Sequence, residues 1–114
     1  MGRVSTHVLD TSRGLPAGGV AVTLEAQNLD GRWLVFGQGE TDADGRFEVV
    51  KDTSGSAAAA LYRLTLSVAA YFGRQGGETF FPEVVIMFIV ADPSQHYHVP
   101  LLVSPFAYST YRGS

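Results

Sequence analysis

Turn signals recur so often along this chain that they leave little room for a helix-built core. Glycine-, proline- and aspartate-bearing clusters at residues 11–19, 28–31 and 42–45, with a polar loop at 51–56, cut the sequence into short runs. Those runs are rich in β-branched and aromatic residues and alternate in polarity, which is the pattern of strands. Arg3–Asp10 is the first, and Val20–Gln27 follows with Val20, Val22, Leu24 and Ala26 on one face. Asn28-Leu29-Asp30-Gly31 reads as a hairpin turn into Trp33–Gln38. Asp42-Ala43-Asp44-Gly45 turns the chain into Arg46–Val50, its Asp-Gly supplying the positive φ that tight turns need. Further strands are predicted through Leu61, Leu64, Leu66 and Val68, over Val84–Ala91, over Tyr97–Ser104 and over Phe106–Arg112. Ser56–Ala60 is too short for an independent helix and reads as strand entry, whereas Ala69–Gln75, stopped by Gly76-Gly77, reads as one or two helical turns. About eight short strands predict an all-β fold, a two-sheet antiparallel sandwich with one short helix near 69–75. Val84–Ala91 is apolar on both faces, which places it centrally in a sheet or at a subunit contact.

A chain of 114 residues predicts one domain, 1–114. An apolar fraction of 46% excludes intrinsic disorder. With 8 basic against 11 acidic residues, the net charge of −3 speaks against a nucleic-acid partner. The lack of cysteine excludes disulfides, thiolate nucleophiles and cysteine-based metal sites, and it suits a reducing, cytoplasmic location. The longest apolar run, Val84–Ala91, is far short of the ~20 residues of a membrane helix, so no membrane partner is expected. Met1-Gly2 with Thr6 matches a myristoylation pattern, yet the alternation of Val4, Thr6 and Val8 reads as a strand starting at once. No apolar stretch of a signal peptide opens the sequence.

The chain has three histidines, His7, His96 and His98. Strand periodicity puts His96 and His98 on one face. Such a pair with a third histidine fits three readings: a three-nitrogen zinc site, metal-free proton transfer near neutral pH, or structural hydrogen bonding. Spacing leaves all three open. Ser5, Ser109 and Thr110 are weaker candidates as nucleophiles, since no Gly-x-Ser-x-Gly elbow is present and Asp10 lies on the strand face opposite His7. Glu40 to Gly45 is faintly calcium-loop-like, but Lys51 stands where the bidentate carboxylate is needed. Arg46 opens a strand directly after a rigid turn, where its planar fork of donors could orient an anionic ligand. The terminal segment stays aromatic and strand-like to its end and would deliver Tyr111, Arg112 and the Ser114 carboxylate into a space formed by loops or an oligomer interface.

Three blocks carry a family resemblance. They are Ser5-Thr6-His7-Val8-Leu9-Asp10 with Gly14-Leu15-Pro16-Ala17, then Thr41-Asp42-Ala43-Asp44-Gly45-Arg46, and finally Gln95-His96-Tyr97-His98-Val99-Pro100-Leu101-Leu102 through Tyr108-Ser109-Thr110-Tyr111-Arg112-Gly113-Ser114. The chain resembles the transthyretin-related family over essentially its whole length. The ending Tyr111-Arg112-Gly113-Ser114 is similar to that of the branch that hydrolyses 5-hydroxyisourate, whereas the hormone carriers have Thr at the position of Tyr111 and lack histidines at His7 and His98. The resemblance implies an eight-stranded sandwich assembled as a homotetramer, a dimer of dimers, with sites in a channel between dimers. It implies metal- and cofactor-free hydrolysis of a ring amide of 5-hydroxyisourate to 2-oxo-4-hydroxy-4-carboxy-5-ureidoimidazoline in urate degradation. His7, Arg46, His98, Tyr111 and Ser114 are then the expected catalytic residues, and His7, Arg46, Tyr111, Arg112 and Gly113 the expected substrate-binding ones. His96 is expected to be structural or supporting. The alternatives are a transthyretin-like ligand carrier and a zinc-dependent hydrolase using His96 and His98.

Overall fold

The computed structural model describes residues 2–51 and 60–114. Two sheets face one another. In the first, β1 (Gly2–Asp10) is central. One of its edges pairs antiparallel with β5 (Arg46–Lys51) and with the two-residue β2 (Leu15–Pro16). The other edge pairs parallel with β8 (His96–His98) and β9 (Leu101–Ser104), and β10 (Ala107–Thr110) closes that side. The second sheet runs in the order β4-β3-β6-β7, built from β3 (Ala21–Gln27), β4 (Trp33–Glu40), β6 (Ala60–Leu66) and β7 (Val84–Val90), all antiparallel.

Alternation decides which side chains fill the space between the sheets. Val4, Val8, Val49, Leu101 and Val103 come from the first sheet, and Val22, Leu24, Leu64, Leu66, Val84 and Val90 from the second. Each is almost inaccessible, and burial of branched aliphatic side chains like these contributes about 1.5–3 kcal/mol apiece. Helix α1 (Val68–Gly73) closes one end of this core with Val68, Tyr71 and Phe72. Tyr71 donates its hydroxyl at 2.8 Å to the fully buried Asp10 carboxylate, which also accepts the Ser12 amide at 3.0 Å and hydroxyl at 2.5 Å. The strand's last carboxylate is therefore satisfied inside the fold, away from His7.

The all-β sandwich with one short helix is as the sequence predicts, and several boundaries differ for physical reasons. The sandwich is not wholly antiparallel, because β8 and β9 run parallel to β1. The strand predicted over Tyr97–Ser104 is two, broken at Val99-Pro100, where Pro100 has no N–H to give a ladder. Leu15–Pro16 pairs within what reads as loop, Val68 belongs to α1 instead of β6, and the last strand ends at Thr110. Strand β7 is not central: it is an edge, with Val85, Met87 and Ile89 on its outer face 47%, 56% and 67% exposed. The strand entry expected at Ser56–Ala60 lies outside the described residues except for Ala60, which opens β6.

Candidate active site

The face of β1 turned away from the core carries two of the candidate residues. With Val4, Thr6 and Val8 turned inward, Ser5 and His7 point outward. Register then brings the other groups alongside. Arg46 is opposite His7 and Glu48 opposite Ser5 on β5, while on β8 His96 is level with Arg3 and His98 with Ser5. Tyr97 between the two histidines is buried, so both rings project to the same side, as their spacing predicts.

Arg46 is held by the turn before it. The Asp42 carboxylate accepts the amides of Asp44 and Arg46, each at 2.9 Å, and Gly45 takes φ +77°. Asp42 thus serves turn chemistry. Arg46, Asp42, Glu48, Ser5, His96, His98 and the terminal Ser114 line one open concavity of about 440 Å³. Ser114 reaches it because the Gly113 amide donates to the His98 carbonyl at 2.8 Å, laying the tail across that residue. Glycine is required there: a Cβ would stand 2.6 Å from His98 Cδ2.

His98 is half-buried at this wall. Burial pushes its imidazole below the ordinary histidine range, the positive charges of His96, Arg46 and His7 push the same way, and the Ser5 backbone opposes them weakly. A neutral imidazole at neutral pH is a proton acceptor, so His98 is poised as a base. Its Nδ1 lies 2.8 Å from Ser5 Oγ, and His96 Nε2 lies 2.7 Å from the same oxygen. Sequence reasoning weighed Ser5 only as a nucleophile and left His96 as structural or supporting. The bridge between them depends on the parallel pairing of β1 with β8, which no local pattern reveals.

Not every expected residue meets in the single chain. His7 flanks Arg46, opposite it across the β1–β5 pairing. Tyr111 and Arg112 instead line a separate gap with Ile86, Phe88, Ile89 and Tyr97, where the Arg112 guanidinium stacks 4.7 Å over the Tyr97 ring. Among the described residues, no three His, Asp or Glu side chains are grouped so as to hold a metal ion, and no helix is long and apolar enough to cross a membrane.

Residues 4–113 match the profile of the HIUase/Transthyretin family. The chain belongs to that family. The 5-hydroxyisourate hydrolase of Salmonella typhimurium is 43% identical over 111 residues, covering 97% of this chain and 80% of its own. The Deinococcus radiodurans protein of the same name is 44% identical over 114 residues, covering 97% and 95%. Among solved structures, Klebsiella pneumoniae 5-hydroxyisourate hydrolase superposes with a TM-score of 0.82 at 36% identity, over 98% of this chain and 99% of that one. Sparus aurata transthyretin gives 0.86 at 30% identity, over 96% and 95%. Proteins named as hydrolases and proteins named as transthyretins thus share this backbone, and the residues on the outer face of β1 and its neighbours must decide between functions.

Proposed function

We propose that this chain, one domain over residues 1–114, hydrolyses 5-hydroxyisourate in urate degradation. The observation that carries the proposal is the convergence of a half-buried His98, the turn-anchored Arg46 and the terminal Ser114 on one concavity. A carrier of an apolar ligand would gain nothing from desolvating such groups.

In the proposed reaction, His98 takes a proton from water, whose oxygen bonds to the carbonyl carbon of a ring amide. The C–N bond then breaks, the ring nitrogen leaves with the proton returned by His98, and the new carboxylic acid releases its own proton to solvent to become a carboxylate. Arg46 orients the planar, easily anionic substrate and stabilises the oxyanion as charge develops. His7, beside Arg46, binds substrate, while burial above all keeps His98 neutral. Gly113 permits the close approach of Ser114, which contacts the substrate from the tail. Tyr111 and Arg112 are proposed to reach the substrate once copies assemble.

That assembly is proposed to be a homotetramer, a dimer of dimers with sites between dimers. The exposed apolar edge of β7 supports association, since contiguous apolar surface rimmed by polar groups marks contact sites. The proposed compartment is the cytoplasm.

The test follows ultraviolet decay of 5-hydroxyisourate, freshly generated by urate oxidase, with and without the protein and with EDTA. Accelerated decay that survives EDTA supports metal-free hydrolysis. Acceleration abolished by EDTA and restored by zinc assigns His96 and His98 to a metal instead. No acceleration by folded protein leaves a ligand carrier.

A further inference from the structure

The mechanism gives no task to Ser5 and His96, two polar groups of the site. The Ser5 hydroxyl stands between two imidazoles, 2.8 Å from His98 Nδ1 and 2.7 Å from His96 Nε2, whose ring centroids are 6.1 Å apart. A hydroxyl has one proton, so it donates to one ring and accepts from the other. Donation to His96 Nε2 requires His98 to carry its proton on Nδ1, leaving the Nε2 lone pair for water. The three groups also differ in depth: Ser5 is 9% exposed, His98 is intermediate and His96 is exposed.

We propose that Ser5 and His96 are the proton outlet of His98, a histidine–serine–histidine relay from the reacting water to the surface. When His98 Nε2 takes a proton, its Nδ1 proton passes to Ser5 Oγ as the Ser5 hydroxyl proton passes to His96 Nε2. One N–H and one O–H bond break, one of each forms, and the positive charge moves from His98 to His96. The same steps reversed return a proton to Nδ1 as the leaving ring nitrogen takes the one on Nε2. The outlet matters because a cationic His98 would stand next to Arg46 of β5 and His7 of β1, at the half-buried wall. His96 is solvated. Arg3 of β1 sits level with His96 and pairs at 3.6 Å with Glu48 of β5, while Asp42 and the Ser114 carboxylate line the same concavity.

The relay rests on the hydrolase function proposed above, and its test separates the two. Wild type, His96→Ala, His96→Gln and Ser5→Ala are compared for kcat and KM across pH, together with the ¹⁵N imidazole spectrum of His98. Gln can still hydrogen-bond Ser5 from the position of Nε2, but it cannot carry a proton. Both His96 variants are expected to lose kcat on the order of tenfold, a part of the ~10²–10⁴-fold of general acid–base catalysis. KM should stay within about twofold, as for a group acting in the transition state only. The acid limb of kcat should move to higher pH, because the variants lack the His96 ring whose charge, when protonated, disfavours a charged His98. Ser5→Ala should shift the His98 proton from Nδ1 towards Nε2 in the spectrum. Because Ser5 lies on a central strand, the exposed His96 carries the test if Ser5→Ala fails to fold. Wild-type kcat and pH profile in His96→Gln would overturn the relay, as would a His98 tautomer with its proton on Nε2 in the wild type. If the wild type does not accelerate decay, the hydrolase function falls, and the tautomer alone decides the bridge.

Discussion

Gly113→Ala tests the site with a single methyl group. Gly113 is not among the residues with positive φ, so alanine can adopt its backbone conformation without strain. What the methyl meets is the difficulty: His98 Cδ2 at 2.6 Å and Pro100 Cγ at 3.2 Å. Ordinary carbon contacts lie near 3.5–4.0 Å, so about 1 Å of separation must be found. The Pro100 ring is anchored on the strand ladder, because Thr110 donates to its carbonyl at 2.7 Å and Val99 donates to the Ser5 carbonyl at 2.8 Å. Either the tail lifts, breaking the Gly113–His98 hydrogen bond and withdrawing Ser114, or the His98 ring turns and leaves Ser5. Both displace a group proposed to be catalytic by about 1 Å, which is enough for a loss on the order of 10²-fold in kcat/KM. Stability should change little, since the bond at risk is one part-buried terminal pair of about 1 kcal/mol. That corresponds to a Tm shift of about 4 °C or less in a domain of this size. The assay is 5-hydroxyisourate decay beside a thermal melt. Wild-type kcat/KM in a folded Gly113→Ala variant would refute both the placement of the tail and the role given to Ser114.

Four further outcomes are expected. Because His98 titrates below the ordinary histidine range in the fold, kcat/KM should hold as pH falls through the range of a free imidazole and drop only below it. The same shift makes stability fully present above the unfolded pKa and lost as pH falls from there through the folded one, which melts at several pH values would show as absent in His98→Asn. Tyr71→Phe removes the 2.8 Å donor to the buried Asp10 carboxylate and should lower unfolding free energy by about 1.5–3 kcal/mol in denaturant titration, with kcat unchanged. Ile89→Asp, on the outer edge of β7, should shift the proposed assembly to smaller species in sedimentation while far-ultraviolet dichroism stays the same; an unchanged sedimentation coefficient would remove β7 from the proposed interface.

Local patterns were legible because they have local causes. Alternation in Val20–Gln27 predicted the buried face that Val22, Leu24 and Ala26 form, and Asp-Gly chemistry predicted the turn that anchors Arg46. Gly76-Gly77 marked the end of the helical turns, where Gly76 takes φ +75°. Pairing across long sequence separation was not legible. An apolar run such as Val84–Val90 reads alike whether it is central in a sheet or at an edge covered by another subunit, since both bury two faces. The parallel register of β8 on β1 and the break at Pro100 likewise depend on contacts more than 90 residues apart in sequence, such as Ser5 with His98. Site residues named through family resemblance were found on the concavity where their own strand registers put them, at Arg46 and His98. Tyr111 and Arg112 were not, because they precede the Gly113 contact that turns the tail toward His98.

The same strand that secures the core also aims the chemistry, and this links activity to register. Strand β1 places Val4, Thr6 and Val8 in the core and Ser5 and His7 on the outer face by alternation alone. A slip of one residue would exchange these sets, putting an imidazole into the apolar interior and valines at the concavity. Several contacts oppose that slip: β5 and β8 flank β1, Thr6 donates to the Val99 carbonyl at 2.6 Å, and Asp10 is tied to Tyr71 of α1. The contacts that exclude the slipped register therefore also hold the geometry that the proposed proton transfers need. Substitutions that loosen β1 should lower activity before they unfold the sandwich, because a site tolerates about 1 Å of misplacement far less than a core tolerates the same shift.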